Sequence, residues 1–313
     1  MAHGLWTTHK LLYLCPLTIK MNKFHGTGVA IITPFQPNGQ VDYDALGNVI
    51  NYLIDNGVNY IVSLGTTGES ATLSSEERKQ VFAYTAKAVN GRINLVAGIA
   101  GNNTAEVVEL VKQFDTTGYD AILSASPHYN RPTQEGIYQH YKAIAENTPL
   151  PIILYNVPSR TGSMISADTV VRLAHDFKHI IGIKEASGSF DQFNQIMRDK
   201  PEGFLLISGD DPVTLPMIAL GAVGVISVIG NALPSQTAEA VNLCLCGDFK
   251  AAQKVHLQLI EFTRLMFAEG SPGGVKTALK YLGICGDTLR LPLVQVSSNA
   301  AQLIAQEIKK LTK

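Results

Sequence analysis

Eight short apolar runs, each followed by a stretch with helical signals, constrain this chain more than any other feature. They fall at residues 28–35 (GVAIITPF), 60–65 (YIVSLG), 94–100 (NLVAGIA) and 121–127 (AILSASP). Four more follow at 151–158 (PIILYNVP), 180–187 (IIGIKEAS), 205–211 (LLISGDD) and 224–230 (GVISVIG). The runs are rich in Val, Ile and Leu without clean alternation, as expected of parallel strands covered on both faces. Between them, Ser74-Ser75-Glu76-Glu77 offers a capping box. Asn103-Thr104 opens another helical stretch, with Gly118 placed as its C-cap, and 133–147 and 166–177 read as further helices. Strand–helix alternation repeated eight times predicts an α/β fold of the (β/α)8 TIM-barrel type. An open doubly wound sheet would want a Gly-rich phosphate turn after the first strand, and Thr33-Pro34-Phe35 is not one.

After about Gly247 the strand signal stops, and 248–269, 273–283 and 297–312 read as helices. The expected organisation is therefore a barrel over 21–247 and a C-terminal helical subdomain over 248–313. Residues 1–20 are expected to form a loose extension, with the domain starting near Met21. Their short apolar piece, residues 11–17, lacks the longer core and small-residue cleavage site of a signal peptide.

Composition closes off several functions. With 313 residues and 46% hydrophobic content the chain can bury a large core. A net charge of -1 gives no basic field for nucleic acid or an anionic membrane. No apolar run approaches the roughly 20 residues of a membrane helix. Cys244 and Cys246 form C-x-C with only His256 nearby, a poor zinc site. The four cysteines read as reduced thiols of a cytoplasmic protein.

Lys184 stands inside the sixth apolar run. An ammonium buried without a partner tends to lose its proton, and a neutral amine can form a Schiff base with a carbonyl substrate. The bland alternative is a strand-end lysine that pairs with Glu185 or reaches water. Barrels of this kind carry their sites at the C-terminal ends of the strands. Polar residues gather at those ends: Thr33, the turn 65–70 (GTTGES), 127–132 (PHYNRP), Tyr155-Asn156 leading to Arg160, Lys184, and Asp210-Asp211. Taken singly, Tyr155 reads as a core tyrosine, Arg160 as a surface arginine and Asp210-Asp211 as an N-cap for the next helix. The small residues of the Gly65-Thr66-Thr67-Gly68 turn expose backbone N–H groups that suit a carboxylate.

The segments GTTGES (65–70), SPHYNRP (126–132), YNVPSRTG (155–162), GIKEA (182–186) and SGDD (208–211) resemble those of the dihydrodipicolinate synthase group. That group belongs to the pyruvate-dependent class I aldolases, which include N-acetylneuraminate lyase. The resemblance spans roughly residues 24–313. It implies a lyase that condenses pyruvate with L-aspartate 4-semialdehyde, the first committed step of diaminopimelate and lysine biosynthesis. By the resemblance, Lys184 forms the Schiff base and Tyr155 shuttles protons. Thr66 links Tyr155 to Tyr129, which reaches in from a neighbouring subunit. Thr67 and the Thr66 backbone hold the pyruvate carboxylate, Arg160 holds the carboxylate of the aldehyde, and Gly209 and Ile226 line the pyruvate site. No metal or organic cofactor is implied, and a homotetramer built as a dimer of dimers is. A regulatory lysine pocket would comprise Ser70, Ala71, Arg78, Asn102, Glu106 and His128. Ser75 and Arg78 stand where many lysine-inhibited members have histidines, and His128 where they have a tyrosine. An arginine repels lysine's ammonium, so weak or absent feedback is expected. N-acetylneuraminate lyase and 2-keto-3-deoxy sugar acid aldolases share Lys184, Tyr155 and the Gly-Thr-Thr-Gly turn, but a carboxylated aldehyde wants the guanidinium of Arg160. A catalytically inactive barrel acting as a binding protein is the reading from a different class.

Overall fold

In the computed structural model, which describes residues 23–312, the eight runs become eight strands of one closed parallel barrel. They are β1 (Gly26–Ala30), β2 (Tyr60–Ser63), β3 (Asn94–Gly98), β4 (Ala121–Ala125), β5 (Ile152–Asn156), β6 (Ile180–Glu185), β7 (Leu205–Ser208) and β8 (Gly224–Ser227). Each pairs with the next in sequence, and β1 closes on β8 through Gly26↔Gly224 to Val29↔Ser227. Every expected run extends past its strand at the C-terminal end. Ile31, Ile99, Ala186 and Gly209 still donate an N–H to the neighbouring strand, and the residues beyond them leave the ladder yet stay largely buried in the barrel mouth, so apolar content marks burial more than ladder pairing. The first run overshoots furthest: Ile32 gives its N–H to Asn231 Oδ1 at 3.1 Å, and Phe35 bridges to Val41.

The described residues also hold twelve α-helices and four short 3-10 turns; the α-helices are α1 (Tyr43–Asp55), α2 (Ser75–Val89), α3 (Thr104–Gln113), α4 (Gln134–Ala145), α5 (Pro158–Thr161), α6 (Ala167–Asp176), α7 (Phe190–Asp199), α8 (Thr214–Ala219), α9 (Pro234–Leu245), α10 (Phe249–Phe267), α11 (Gly273–Tyr281) and α12 (Ser298–Leu311). Their starts follow the polar side chains that cap them. Ser74 and Glu77 close a reciprocal capping box on α2, and Asn103, Thr133 and Ser166 cap α3, α4 and α6. Gly118 is not the C-cap of α3. That helix ends at Gln113, where Phe114 turns extended and packs edge-on against Phe82 and Tyr119. Gly118 serves a later turn instead. The extension expected over residues 1–20 lies outside the described residues.

Strand alternation divides the apolar side chains into two layers. Tyr60, Val62, Val96, Ile153, Ile207 and Ile226 fill the barrel interior. Val29, Ile61, Ile122, Leu154, Ile183 and Leu206 point outward into a second cluster beneath the helices. Leu259, Phe262 and Met266 of α10, Leu279 of α11 and Ile304 of α12 join that outer cluster, so the C-terminal helices share one continuous core with the barrel wall. Among the described residues no helix is long and apolar enough to cross a membrane.

One close approach shapes the mouth. A Cβ on Gly98 would lie 2.4 Å from the Leu64 carbonyl oxygen and 2.8 Å from the Gly65 nitrogen. The end of β3 must therefore be bare for the chain to turn after β2. Gly98→Ala is expected to destabilise the fold by about 1–3 kcal/mol through this overpacking, measured by urea unfolding. Unchanged stability would show that the turn has room to move.

Candidate active site

The register of the barrel decides which way Lys184 points. Lys184 pairs with Tyr155 on β5 and Ile207 on β7, both members of the interior cluster. Its neighbours Ile183 and Glu185 must then face outward. Lys184 is 4% exposed, with its Nζ 4.3 Å from the centroid of the Tyr155 ring. Among the described residues no carboxylate lies within ion-pairing distance of it. Pairing with Glu185 is thereby excluded by the two-residue period of the strand. Glu185 turns its carboxylate to the other side, where it accepts from Asn156 Nδ2 at 3.0 and 2.9 Å, the Ser187 N–H at 2.8 Å and Gln192 Nε2 at 3.3 Å. Burial still raises its pKa above the ordinary carboxylate range. Asn156 in turn accepts from the Ile165 N–H, so this buried network braces β5 and β6 directly behind Tyr155 and Lys184.

Gly209 and Ile226 complete the surroundings of the lysine. A Cβ on Gly209 would meet Lys184 Cγ at 3.0 Å and Ala186 Cβ at 2.9 Å, so the bare backbone there leaves the lysine its channel. Ile226 is buried in the interior layer. Asp210 stands at the N-cap position of a 3-10 turn over Asp211–Val213, but its side chain makes no capping bond there, and α8 begins after Val213 without a side-chain cap. Asp211 instead reaches the end of β8, accepting from Ser227 Oγ at 2.5 Å and from the Val228 and Ile229 N–H groups at 3.0 and 3.3 Å. Burial raises the pKa of both carboxyls, and for Asp211 the hydrogen bonds from Ser227, Val228 and Ile229 offset part of the rise.

Gly65-Thr66-Thr67-Gly68 folds as a short 3-10 turn over Thr66–Gly68 at the end of β2. Thr67 is buried and Thr66 exposed. Leu64 and Glu69 bracket it with φ of 54° and 52°, a left-handed conformation that is rare outside glycine. Tyr129 and Arg131 adopt the same conformation in the loop after β4, and Tyr129 stands 85% exposed. No hydrogen bond joins Thr66 to Tyr155 or Tyr129 within the described residues. Arg160 lies exposed on α5, the turn that leaves β5 just after Tyr155. Of the six residues named for a lysine pocket, Asn102 accepts from the His128 N–H at 3.2 Å, joining two loops of the mouth. Glu106 bonds Asn103 at 2.9 Å, and Arg78 bonds Ser75 at 3.2 Å. Ser70 and Ala71 follow the 3-10 turn at the start of the next one.

Comparison with known proteins agrees with this geometry. The model of the Dihydrodipicolinate synthetase family matches residues 23–311. The chain belongs to that family. It is 50% identical over 293 residues to the 4-hydroxy-tetrahydrodipicolinate synthase of Flavobacterium psychrophilum, covering 94% of this chain and all of the relative. It is 48% identical to that of Parabacteroides distasonis, over 92% of this chain and 97% of the relative. The crystal structure of dihydrodipicolinate synthase from Aquifex aeolicus superimposes with a TM-score of 0.90 at 43% identity, covering 92% of this chain and 98% of the other.

Residues that sequence reasoning passed over hold the Thr66–Gly68 turn from behind. Glu69 pairs with Lys276 of α11 at 2.5 Å, both side chains fully buried. Lys276 also donates to the Thr288 carbonyl at 2.9 Å and stacks over Phe35. Arg290 covers the same ring, donates to the Gly39 and Thr72 carbonyls, and forms a bidentate pair with Glu77. One signal was available: Lys276 interrupts the apolar face of Val275, Ala278 and Leu279, where a lysine needs a partner.

Arg290 holds the Glu77 carboxyl down at about 2, against an ordinary value of 4.5. A depressed carboxyl contributes stability that is present above the unfolded value and is lost as pH falls toward the folded one. Glu77→Gln keeps the capping box and removes the charge. Its deficit in thermal midpoint is expected to be largest near about pH 7 and to shrink toward about pH 3. A deficit constant with pH would exclude the charge as its origin.

Proposed function

We propose that this chain is a 4-hydroxy-tetrahydrodipicolinate synthase, a lyase that condenses pyruvate with L-aspartate 4-semialdehyde. The observation that carries the reading is Lys184. Its amine is buried at the barrel mouth against Tyr155, with no carboxylate in ion-pairing distance among the described residues. The names of the relatives support the same activity.

In this reading the Lys184 amine adds to C2 of pyruvate and expels water, leaving a protonated imine. The imine draws electrons from the methyl group, and loss of a methyl proton gives an enamine carbon nucleophile. That carbon attacks the aldehyde of the second substrate, whose own amine then displaces Lys184 and closes the ring. Tyr155 moves protons at the reacting centre, and its ring against Nζ supports that assignment. Thr66 relays between Tyr155 and Tyr129. Thr67 and the Thr66 backbone hold the pyruvate carboxylate, with Gly209 and Ile226 lining the site. Arg160 receives the carboxylate of the aldehyde through paired charge-assisted hydrogen bonds. The reaction needs no metal or organic cofactor. An 85% exposed Tyr129 supports an assembly in which it enters a neighbouring subunit's site, and a homotetramer meets that need. The cytoplasm is the proposed compartment.

The test is pyruvate-dependent turnover of L-aspartate 4-semialdehyde, run beside cleavage of N-acetylneuraminate and 2-keto-3-deoxygluconate. Synthase activity with silent cleavage is expected, and the reverse would move the chain to the sugar-acid aldolases. Borohydride with pyruvate should leave an adduct on Lys184 that vanishes in Lys184→Ala, whereas an intact protein that gives none would be a binding protein. Arg160→Ala should keep the adduct and lower turnover by about a hundredfold or more, as expected when a positioning guanidinium is lost. Unchanged turnover would remove Arg160 from the site.

Arg78 and His128 at the proposed regulatory pocket lead to a further expectation, that L-lysine inhibits weakly or not at all. Inhibition well below about millimolar would reject it, since such binding needs roughly 4 kcal/mol or more of net attraction.

A further inference from the structure

We infer that Glu69 and Lys276 are positioning residues for the pyruvate site, holding the Thr66-Thr67 turn in shape from the C-terminal helices. The inference rests on the reading above, in which that turn receives the pyruvate carboxylate. The turn is short and sits between two left-handed residues, Leu64 and Glu69. Such a conformation persists only when the surroundings over-determine it. For Leu64, the bare Gly98 backbone makes the space. For Glu69, three contacts fix the conformation. Its N–H closes the turn onto the Thr66 carbonyl at 3.2 Å, and its carboxylate is drawn to Lys276 at 2.5 Å and to the Arg290 N–H at 3.3 Å. Thr33 ties the same turn from the front, through its hydroxyl to the Gly68 carbonyl at 2.7 Å.

A buried ion pair is poor evidence for stability, because desolvating both charges offsets their attraction. Hydrophobic residues of similar volume would serve a core as well. This pair joins α11, far along the chain, to the one turn whose backbone must be placed to a fraction of an ångström for carboxylate binding. The fully buried Lys276 has three partners there: Glu69, the Thr288 carbonyl and the Phe35 ring. Charge attraction supplies direction, which apolar packing does not. The geometry therefore fits a clamp that selects one position of Glu69 and, through its N–H, one shape of Thr66–Gly68.

The experiment compares wild type with Glu69→Gln and with the double variant Glu69→Gln/Lys276→Met. Thermal midpoint, the pyruvate concentration for half-maximal borohydride trapping at Lys184, and trapping by acetone (a ketone without a carboxylate) are read on each. The single variant strands a buried ammonium and should lose stability. The double variant removes both charges and should recover much of the thermal midpoint. Its half-saturating pyruvate concentration should nevertheless stay raised by about ten- to a hundredfold, as misplaced binding groups cost, while acetone trapping stays close to wild type. A double variant with wild-type half-saturation overturns the inference and leaves the pair a packing element. Equal losses with pyruvate and acetone overturn it too, since the damage would then lie at Lys184. Should wild type itself trap no pyruvate at Lys184, the site reading fails, and the inference fails with it for that separate reason.

Discussion

Closure of the parallel ladder is the constraint from which the rest of this molecule follows. Once β1 pairs with β8, no strand can slip by one residue without turning its whole inward row outward. Lys184 therefore faces the interior beside Tyr155 and Ile207, and Glu185 faces the helices beside Asn156. Two adjacent charged residues of opposite sign are separated by the thickness of a sheet. The amine is left without a carboxylate partner, while the carboxylate is buried in its own hydrogen-bond network. The two-residue period of a strand keeps them apart, and closure decides which of the two faces inward.

The mouth of the barrel is assembled under strain that other elements hold in place. Leu64, Glu69, Tyr129 and Arg131 all take left-handed backbone conformations in the loops after β2 and β4. Such residues persist where their surroundings fix them. For the loop after β2 those surroundings come from the far end of the chain. Lys276 and Arg290 grip Glu69, Thr72 and Glu77, and both lie against the Phe35 ring. The C-terminal helices, whose apolar faces share the core with the barrel wall, thus also supply charges to the back of the site.

Much of this was legible from the residues. Eight apolar runs marked eight strands because parallel strands are buried on both faces, and the polar residues Ser74 and Asn103 marked helix starts because orphan N–H groups need acceptors. Strand ends were less legible. Ile32 is as apolar as a ladder residue, but its N–H goes to the Asn231 side chain and not to a neighbouring strand. Gly118 looked like a helix stop because it is a glycine; aromatic packing of Phe114 with Phe82 and Tyr119 ends the helix earlier. Asp210-Asp211 looked like a local cap; Asp210 holds that position by its backbone, and the Asp211 carboxylate instead serves the next strand, a partner sixteen residues away that no local rule names.

The sequence by itself determined the order of elements, the barrel, and the residue types gathered at the C-terminal strand ends, because those depend on periodicity and on chemistry within a few positions. Only the tertiary structure decided that Lys184 faces the barrel interior and Glu185 the helices, that Asp211 braces β8, and that Glu69 meets Lys276 across more than two hundred residues. Each of these is a choice of partner for a buried charge. Burial forces a charge to find compensation, and which group supplies it is fixed by what the closed fold brings within hydrogen-bonding reach.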